Sequence, residues 1–150
     1  MGSLAARRVA LAAVVLALGG CAGDCTTTAP TGAGGRCTVT AHDSHVQTGG
    51  TRTITGLGSV KCDHISDLLS VRANVEYETF WEWVTLDSRL GQAANTDYVE
   101  RLAFFPCQGS SAHNFETYAS AIDTYQGVAH YSEKAEGNIM LDLPCDPAPH

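Results

Sequence analysis

Residues 69–78 read Leu69-Ser70-Val71-Arg72-Ala73-Asn74-Val75-Glu76-Tyr77-Glu78. Apolar side chains occupy the odd positions, and polar or charged side chains occupy the even ones. A period of two is typical of a β-strand with one face in a core and the other in water. The pattern continues to Trp81 and Trp83, but about fifteen residues of strand would span about 50 Å, so we expect a bend or turn near Glu78 and Thr79.

Shorter strand patterns flank this segment. They cover residues 37–41, 51–62, 98–105, 128–131 and 139–143. Residues 114–126 are ambiguous: Phe115, Tyr118 and Ile122 have helical spacing, yet the segment is rich in Thr, Tyr and Phe, which favour strands. We prefer a strand there and keep a single helix as the alternative. Together the patterns predict an all-β fold, an antiparallel two-sheet sandwich of Ig-like type.

The first 21 residues have the layout of a secretory signal peptide. Arg7 and Arg8 precede an apolar run over residues 9–18, which is about half the length that a membrane-spanning helix needs. Leu18-Gly19-Gly20-Cys21 resembles the lipobox of bacterial lipoproteins. The resemblance implies cleavage before Cys21 and a diacylglycerol, with acyl chains such as palmitate, on its sulfur. We therefore expect a mature protein that is lipid-anchored at the extracytoplasmic face of a cell membrane.

Composition divides the chain into three parts. Residues 1–20 are the predicted leader, residues 21–36 are a Gly- and Thr-rich stretch that predicts a flexible tether, and residues 37–150 form one β-sandwich domain. Loss of the leader leaves seven basic and sixteen acidic residues, a net charge of −9. Phosphate backbones would repel such a chain, so we do not expect nucleic acid as a partner.

Five cysteines remain if Cys21 carries a lipid, and an oxidising compartment favours disulfides among them. We prefer Cys62 with Cys107, since each ends a strand-like run, and Cys37 with Cys145, which would join the two ends of the domain. Cys25 is then the unpaired one. The main alternative pairs Cys25 with Cys37 and leaves Cys145 free.

The predicted domain also resembles a loose group of small secreted or lipid-anchored β-sandwich domains of actinobacteria. The matching segments are residues 37–45, 50–62, 107–109 and 118–121, and the resemblance covers most of residues 37–132. It implies a His-containing turn after the first strand and a disulfide between two core strands. The segment 110–115 and the pair Trp81 and Trp83 depart from the group. Because the group shares no common activity, the resemblance implies a fold and no function.

Three catalytic or metal-binding arrangements are conceivable from residue types. His42, Asp43 and His45, with Cys62 and His64, contain enough donors for zinc, but the histidines lie in a turn and Cys62 is better placed in a disulfide. The chain has no Gly-x-Ser-x-Gly motif that would point to a serine hydrolase. We therefore name no catalytic residue, no metal ligand and no cofactor, and we expect a protein that is not an enzyme.

Paired acids for glycoside chemistry are the third arrangement, at Glu76, Glu78 and Glu82. The strand pattern places the first two on a solvent face, which needs no catalytic role.

A binding surface is the preferred interpretation of residues 76–83. Trp81 and Trp83 are in phase with Val75 and are expected in the core, whereas Phe80 is out of phase and is expected to be exposed. We predict that Glu76, Glu78, Phe80 and Glu82 contribute to a surface for an extracytoplasmic protein or glycan. The function expected is therefore a non-catalytic, membrane-anchored binding module. The alternatives are a hydrolase or metal-dependent enzyme of the cell envelope, and a phage- or prophage-encoded lipoprotein that excludes superinfection.

Overall fold

A computed structural model describes residues 25–31, 35–132 and 134–147. These residues contain nine strands and no helix: β1 (Cys25–Thr31), β2 (Gly35–Ala41), β3 (His45–Gln47), β4 (Thr53–Glu78), β5 (Trp83–Pro106), β6 (Gly109–Tyr125), β7 (Val128–Tyr131), β8 (Ala135–Glu136) and β9 (Met140–Asp146). Every strand pair is antiparallel. The all-β antiparallel prediction is confirmed, and the ambiguous segment 114–126 lies mainly in β6, as a strand.

The sandwich is built from one hydrogen-bonded sheet that folds over on itself. β4 and β5 form a long hairpin whose pairing is interrupted between Lys61 and Ser66. A Cβ on Gly56, before this interruption, would lie 2.8 Å from a methyl group of Val75, which comes after it. The first part of β4 therefore packs face to face against the second part, and the two layers share β4 and β5.

Different strands add to β4 and β5 in each layer. In the first layer, β2 and β3 pair with the early part of β4, and β1 extends the sheet beyond β2. In the second layer, β6 pairs with the later part of β4, and β7, β8 and β9 line the far edge of β6. β5 pairs with β4 in both layers.

The core lies between the layers. Leu69, Val71, Ala73 and Val75 are fully buried, which confirms the pattern that predicted this strand. Burial of each Val or Leu side chain contributes about 1.5–3 kcal/mol relative to exposure. The layers also approach closely at Gly58, where the facing residues are small: an added Cβ would meet Ala73 and Ala119 at 3.0 Å.

Two disulfides join Cys37 to Cys62 and Cys107 to Cys145. The four cysteines were predicted to form disulfides, but both predicted pairs are wrong, and so is the alternative with Cys145 free. The hairpin explains the error. Pro106 pairs with Thr53, so Cys107 lies beside the start of β4, whereas Cys62 is about 30 Å farther along that strand.

The predicted leader, residues 1–20, and Cys21 lie outside the described residues. The tether predicted for residues 21–36 is partly wrong, because residues 25–31 form β1 and pair with β2. The stretch Cys25–Thr31 contains four threonines, which are β-branched and suit a strand. In the described part of the chain we find no helix with the length and apolar character to cross a membrane.

Candidate functional site

The turn between β4 and β5 forms the tip of the long hairpin. Glu78 pairs with Trp83, so residues 79–82 make the connection. Thr79 holds it closed: its amide donates to the Glu82 carbonyl at 2.8 Å, and its hydroxyl donates to the same carbonyl at 2.7 Å. The Glu82 amide in turn donates to the Thr79 hydroxyl at 3.1 Å. This local network gives the tip a defined shape.

Two aromatic side chains stand out from the tip. Phe80 is 85% exposed and Trp81 is 87% exposed. Their rings meet edge to face, with centroids 4.3 Å apart. The exposure expected for Phe80 is found, but the expectation that Trp81 fills the core is wrong, because Trp81 lies in the turn where strand alternation no longer applies. Trp83, the first residue of β5, is half-buried.

The predicted acidic residues divide into two groups. Glu78 and Glu82 are exposed beside the aromatic pair, and the side-chain amide of Asn114 donates to Glu78 at 2.7 Å. Glu76 is buried, so its predicted place on a solvent face is wrong. Its strand is flanked on both sides, and the Thr85 hydroxyl on β5 donates to the Glu76 carboxylate at 2.8 Å. Glu78, Phe80 and Glu82 are thus exposed together at the tip, whereas Glu76 is buried in the strand that leads to it.

Two exposed acids, Glu78 and Glu82, give the hairpin tip its negative charge, whereas Glu76 is buried and Asp87 is paired with Arg89 at 2.8 Å. No Lys or Arg occurs between Arg72 and Arg89 in the sequence, whereas four acids do: Glu76, Glu78, Glu82 and Asp87. Exposed aromatic rings attract cations with their faces, and neighbouring carboxylates reinforce that attraction. The tip can therefore bind a partner that carries positive charge.

A second polar region lies on the outer face of the second layer. A cavity of about 320 Å³ is lined by Arg72, Asn74, Tyr118, Ala119, Ser120, Ser132 and Lys134. The Lys134 ammonium sits 3.0 Å from the centroid of the Tyr118 ring. Cation–π contacts of this kind hold a lysine in place while leaving its charge near solvent.

Glu116 is two residues before Tyr118 on β6, so it lies on the face of the strand that carries this cavity, and nothing in the sequence singles it out. Burial, aided by the negative charges of Glu136 and Glu76, raises its pKa to about 7, although Lys134 acts in the opposite direction. A single acid among polar and apolar residues of a strand forms no sequence pattern that would indicate a raised pKa. Its environment depends on Glu76 and Glu136, which reach it only through strand pairing.

The histidines do not form one site. His42, Asp43 and His45 line a cavity of about 280 Å³ at the start of β3. His64 is elsewhere: its Nε2 lies 3.0 Å from Asp123 Oδ2. Ser44 lies between His42 and His45 in the sequence. It is buried, and its hydroxyl is hydrogen-bonded to the Thr117 hydroxyl at 2.8 Å, so it links the layers.

No protein-family model, curated protein or solved structure matches this chain. Function therefore rests on the chemistry of its sites. The tip offers exposed aromatic surface and negative charge, which are features of a binding surface. Glu116 lies on the same strand as Tyr118 and Ser120, which line the first cavity, and burial raises the pKa of its carboxyl group to about 7, which is a property of acid–base catalysts as well as of structural clusters.

Proposed function

We propose that this protein is a non-catalytic binding module, lipid-anchored through Cys21 at the extracytoplasmic face of a cell membrane, and that its hairpin tip engages a protein with basic side chains. The observation that carries the proposal is the exposure of Phe80 and Trp81 on a turn fixed by Thr79. Large aromatic side chains on a pre-ordered turn lose little conformational entropy on binding.

The charge of the tip favours a basic protein partner over a neutral glycan. Glu78 and Glu82 flank the aromatic pair, and carboxylates there would steer and hold lysine or arginine side chains. A neutral sugar could stack on the rings, but it would gain no net Coulomb attraction from the acids. We therefore expect binding that weakens as salt concentration rises.

Two features support the extracytoplasmic location. The lipobox-like stretch Leu18-Gly19-Gly20-Cys21 would supply the anchor, and the disulfides Cys37–Cys62 and Cys107–Cys145 suit an oxidising compartment. Expression of the full chain followed by intact-mass analysis tests this part. We expect the mass of residues 21–150 plus a diacylglycerol in the membrane fraction, and loss of the added mass in Cys21→Ser. An unprocessed, unacylated chain would contradict the anchor.

The binding proposal is tested by capture from envelope extract with three versions of the lipidated protein. We expect the wild type and Tyr131→Ala, a change at an exposed aromatic outside the tip, to capture the same partner. Phe80→Ala/Trp81→Ala should lose it, and cross-links from the tip should map to a basic segment. Equal capture by all three versions would contradict the role of the tip.

The combination Glu78→Gln/Glu82→Gln separates the two partner classes. For a basic protein, we expect weaker capture and a smaller salt dependence. Capture of cell-wall glycan that is unchanged by this variant would contradict a basic protein and indicate a glycan ligand.

An envelope hydrolase is the second candidate, and one observation favours it. Glu116 has a pKa of about 7 beside a polar cavity that includes Lys134, and a carboxyl group of that pKa suits general acid–base catalysis at neutral pH. Turnover of cell-wall or ester substrates that disappears in Glu116→Gln, while the variant remains folded, would favour the hydrolase over the binding module.

A further inference from the structure

A buried cluster of metal-binding residue types lies where β4 crosses from one layer to the other. It consists of Cys37 on β2, Cys62 and His64 on β4, and Asp123 on β6. One donor atom from each residue lies within 4.8 Å of all the others. No other group of three or more His, Cys, Asp or Glu residues meets this criterion in residues 25–31, 35–132 and 134–147.

Asp123 is unusual within this cluster. Its side chain is 2% exposed, and Oδ2 lies 3.0 Å from His64 Nε2. Its other oxygen, Oδ1, is buried and has no hydrogen-bond partner among the described residues. A buried carboxylate oxygen without a partner carries a desolvation cost that a cation can offset. Asp123 Oδ1 is therefore available to coordinate a cation in the disulfide-bonded fold.

The ring of His64 lies between two carboxylates, and a metal would replace the contact between its Nε2 and Asp123. Its Nδ1 lies 3.0 Å from Asp63 Oδ1, while its Nε2 faces the cluster. Metal-bound histidines commonly donate their second ring nitrogen to a carboxylate, which fixes the ring and increases its basicity. The ring of Tyr125 also packs against His64, with centroids 4.3 Å apart. Asp63 would thus support the ligand without touching the metal.

The donor set is one that zinc prefers, provided that the sulfurs are thiolates. Two thiolates, one imidazole and one carboxylate make a closed tetrahedral set of the structural kind. Ligand atoms in such a site lie about 3.3–3.8 Å apart, so donors within 4.8 Å of one another need shifts of about 1 Å. In the disulfide, Cys37 and Cys62 offer no thiolate, and the set is incomplete.

We propose that Cys37, Cys62, His64 and Asp123 form a zinc site in the reduced chain, and that formation of the Cys37–Cys62 disulfide releases the metal. A dithiol supplies the two electrons: one of its thiolates attacks the Cys37–Cys62 disulfide and releases one cysteine, and its second thiolate then attacks the resulting mixed disulfide, releases the other cysteine and leaves the dithiol as a cyclic disulfide. Cys37 and Cys62 become thiols, which lose two protons when Zn²⁺ binds. A disulfide-carrying oxidant takes the two electrons back in the reverse direction. The site is independent of the proposed binding tip.

The test uses the mature chain with Cys21→Ala and Cys25→Ala, reduced with excess dithiol and freed of it under nitrogen. Titration with Co²⁺ should give the thiolate-to-cobalt charge-transfer band and tetrahedral visible bands at one equivalent, and Zn²⁺ should abolish both. The oxidised chain should give neither. Absence of these bands from the reduced chain would overturn the proposal.

The second disulfide provides the matched control. Cys107→Ala/Cys145→Ala keeps all four donors, so its cobalt spectrum should equal that of the parent, whereas Cys37→Ala/Cys62→Ala should have no bands. Asp63→Asn should weaken Zn²⁺ binding by about 10–100-fold while the spectrum stays tetrahedral. Equal bands in both double variants would overturn the proposal.

Circular dichroism covers the case in which reduction unfolds the chain. We expect Zn²⁺ to restore the β-sheet spectrum of the reduced parent and to leave Cys37→Ala/Cys62→Ala unchanged. A reduced parent chain that Zn²⁺ does not restore to this spectrum would also overturn the proposal.

Discussion

Glu116 on β6 stands directly opposite Glu76 on β4, and both residues are buried. A carboxylate on an adjacent strand disfavours the ionisation of a buried acid, because water that would screen the two charges is excluded. Burial and the charges of Glu136 and Glu76 raise the pKa of Glu116 to about 7. The folded protein therefore keeps this carboxyl group protonated over a pH range in which the unfolded chain ionises it.

This difference predicts how stability depends on pH. Between about pH 4.5 and 7, the folded state holds a proton at Glu116 that the unfolded state has released, so the free energy of unfolding falls as pH rises through this window. Glu116→Gln cannot ionise, so we expect it to match the wild type at pH 4.5 and to exceed it by up to about 3 kcal/mol at pH 8. Urea unfolding at several pH values measures the difference.

The matched control is Glu82→Gln, which removes an exposed acid at the hairpin tip. It should keep the pH slope of the wild type. A Glu116→Gln variant whose stability follows the wild-type curve between pH 5 and 8 would mean that Glu116 ionises normally in the fold.

Close approach of the two layers predicts a second effect, at Gly56. A Cβ there would lie 2.5 Å from the Thr117 hydroxyl oxygen and 2.8 Å from a Val75 methyl group. Thr117 must then move, which disturbs its buried hydrogen bond to Ser44. We expect Gly56→Ala to lower the free energy of unfolding by about 1–3 kcal/mol.

Thermal and urea unfolding would measure this cost against Gly49→Ala. Nothing lies within 4 Å of a Cβ at Gly49, so that variant should stay within about 0.5 kcal/mol of the wild type. If the two variants unfold alike, the layers are not in contact at Gly56.

The sequence could predict what a single strand determines and not what its neighbours determine. Alternation placed Val71 and Val75 in the core because one strand has two faces. The same alternation put Glu76 in solvent, since it carries no information about Thr85 and Glu116 on the flanking strands. The turn expected near Glu78 and Thr79 is present, but alternation carried across it wrongly assigns Trp81 to the core.

The sequence also does not predict contacts between residues that are far apart along the chain. His64 and Asp123 are 59 residues apart in the sequence, and they meet only because β4 bends between the layers. The Cys37–Cys62 disulfide likewise depends on strand register, because Cys37 on β2 pairs with Cys62 on β4. Spacing along the chain does not fix such registers, so the cysteines could be chosen from composition and their partners could not.

The disulfide between Cys107 and Cys145 gives a third prediction. It closes a sequence separation of 38 residues, which corresponds to about 4 kcal/mol of stabilisation through the unfolded state. β9 otherwise pairs with β6 through an irregular register. We expect Cys107→Ala/Cys145→Ala to lose about 3–4 kcal/mol of unfolding free energy, with amide exchange accelerating first in β9.

Peptide mapping of the oxidised wild type provides the check on connectivity. A proteolytic fragment linking Cys37 to Cys62 and another linking Cys107 to Cys145 are expected. A fragment that links Cys62 to Cys107 would contradict the register of the hairpin.

Removal of the Thr79 hydroxyl group should affect both the stability of the protein and its binding through the tip. It donates to the Glu82 carbonyl at 2.7 Å and accepts from the Glu82 amide at 3.1 Å, so Thr79→Val leaves the turn without these bonds. We expect a loss of about 1 kcal/mol in unfolding free energy and faster motion of Trp81, measured by fluorescence anisotropy in a Trp83→Phe background.

If the tip binds a partner, the same variant should bind about tenfold more weakly, because the aromatic pair must then be ordered on binding. Thr53→Val removes a similar hydroxyl at the other end of β4, where it donates to the Thr51 carbonyl at 3.2 Å, and it should leave binding unchanged. Binding that is equally strong in the Thr79 and Thr53 variants would show that the ordered turn contributes nothing to recognition.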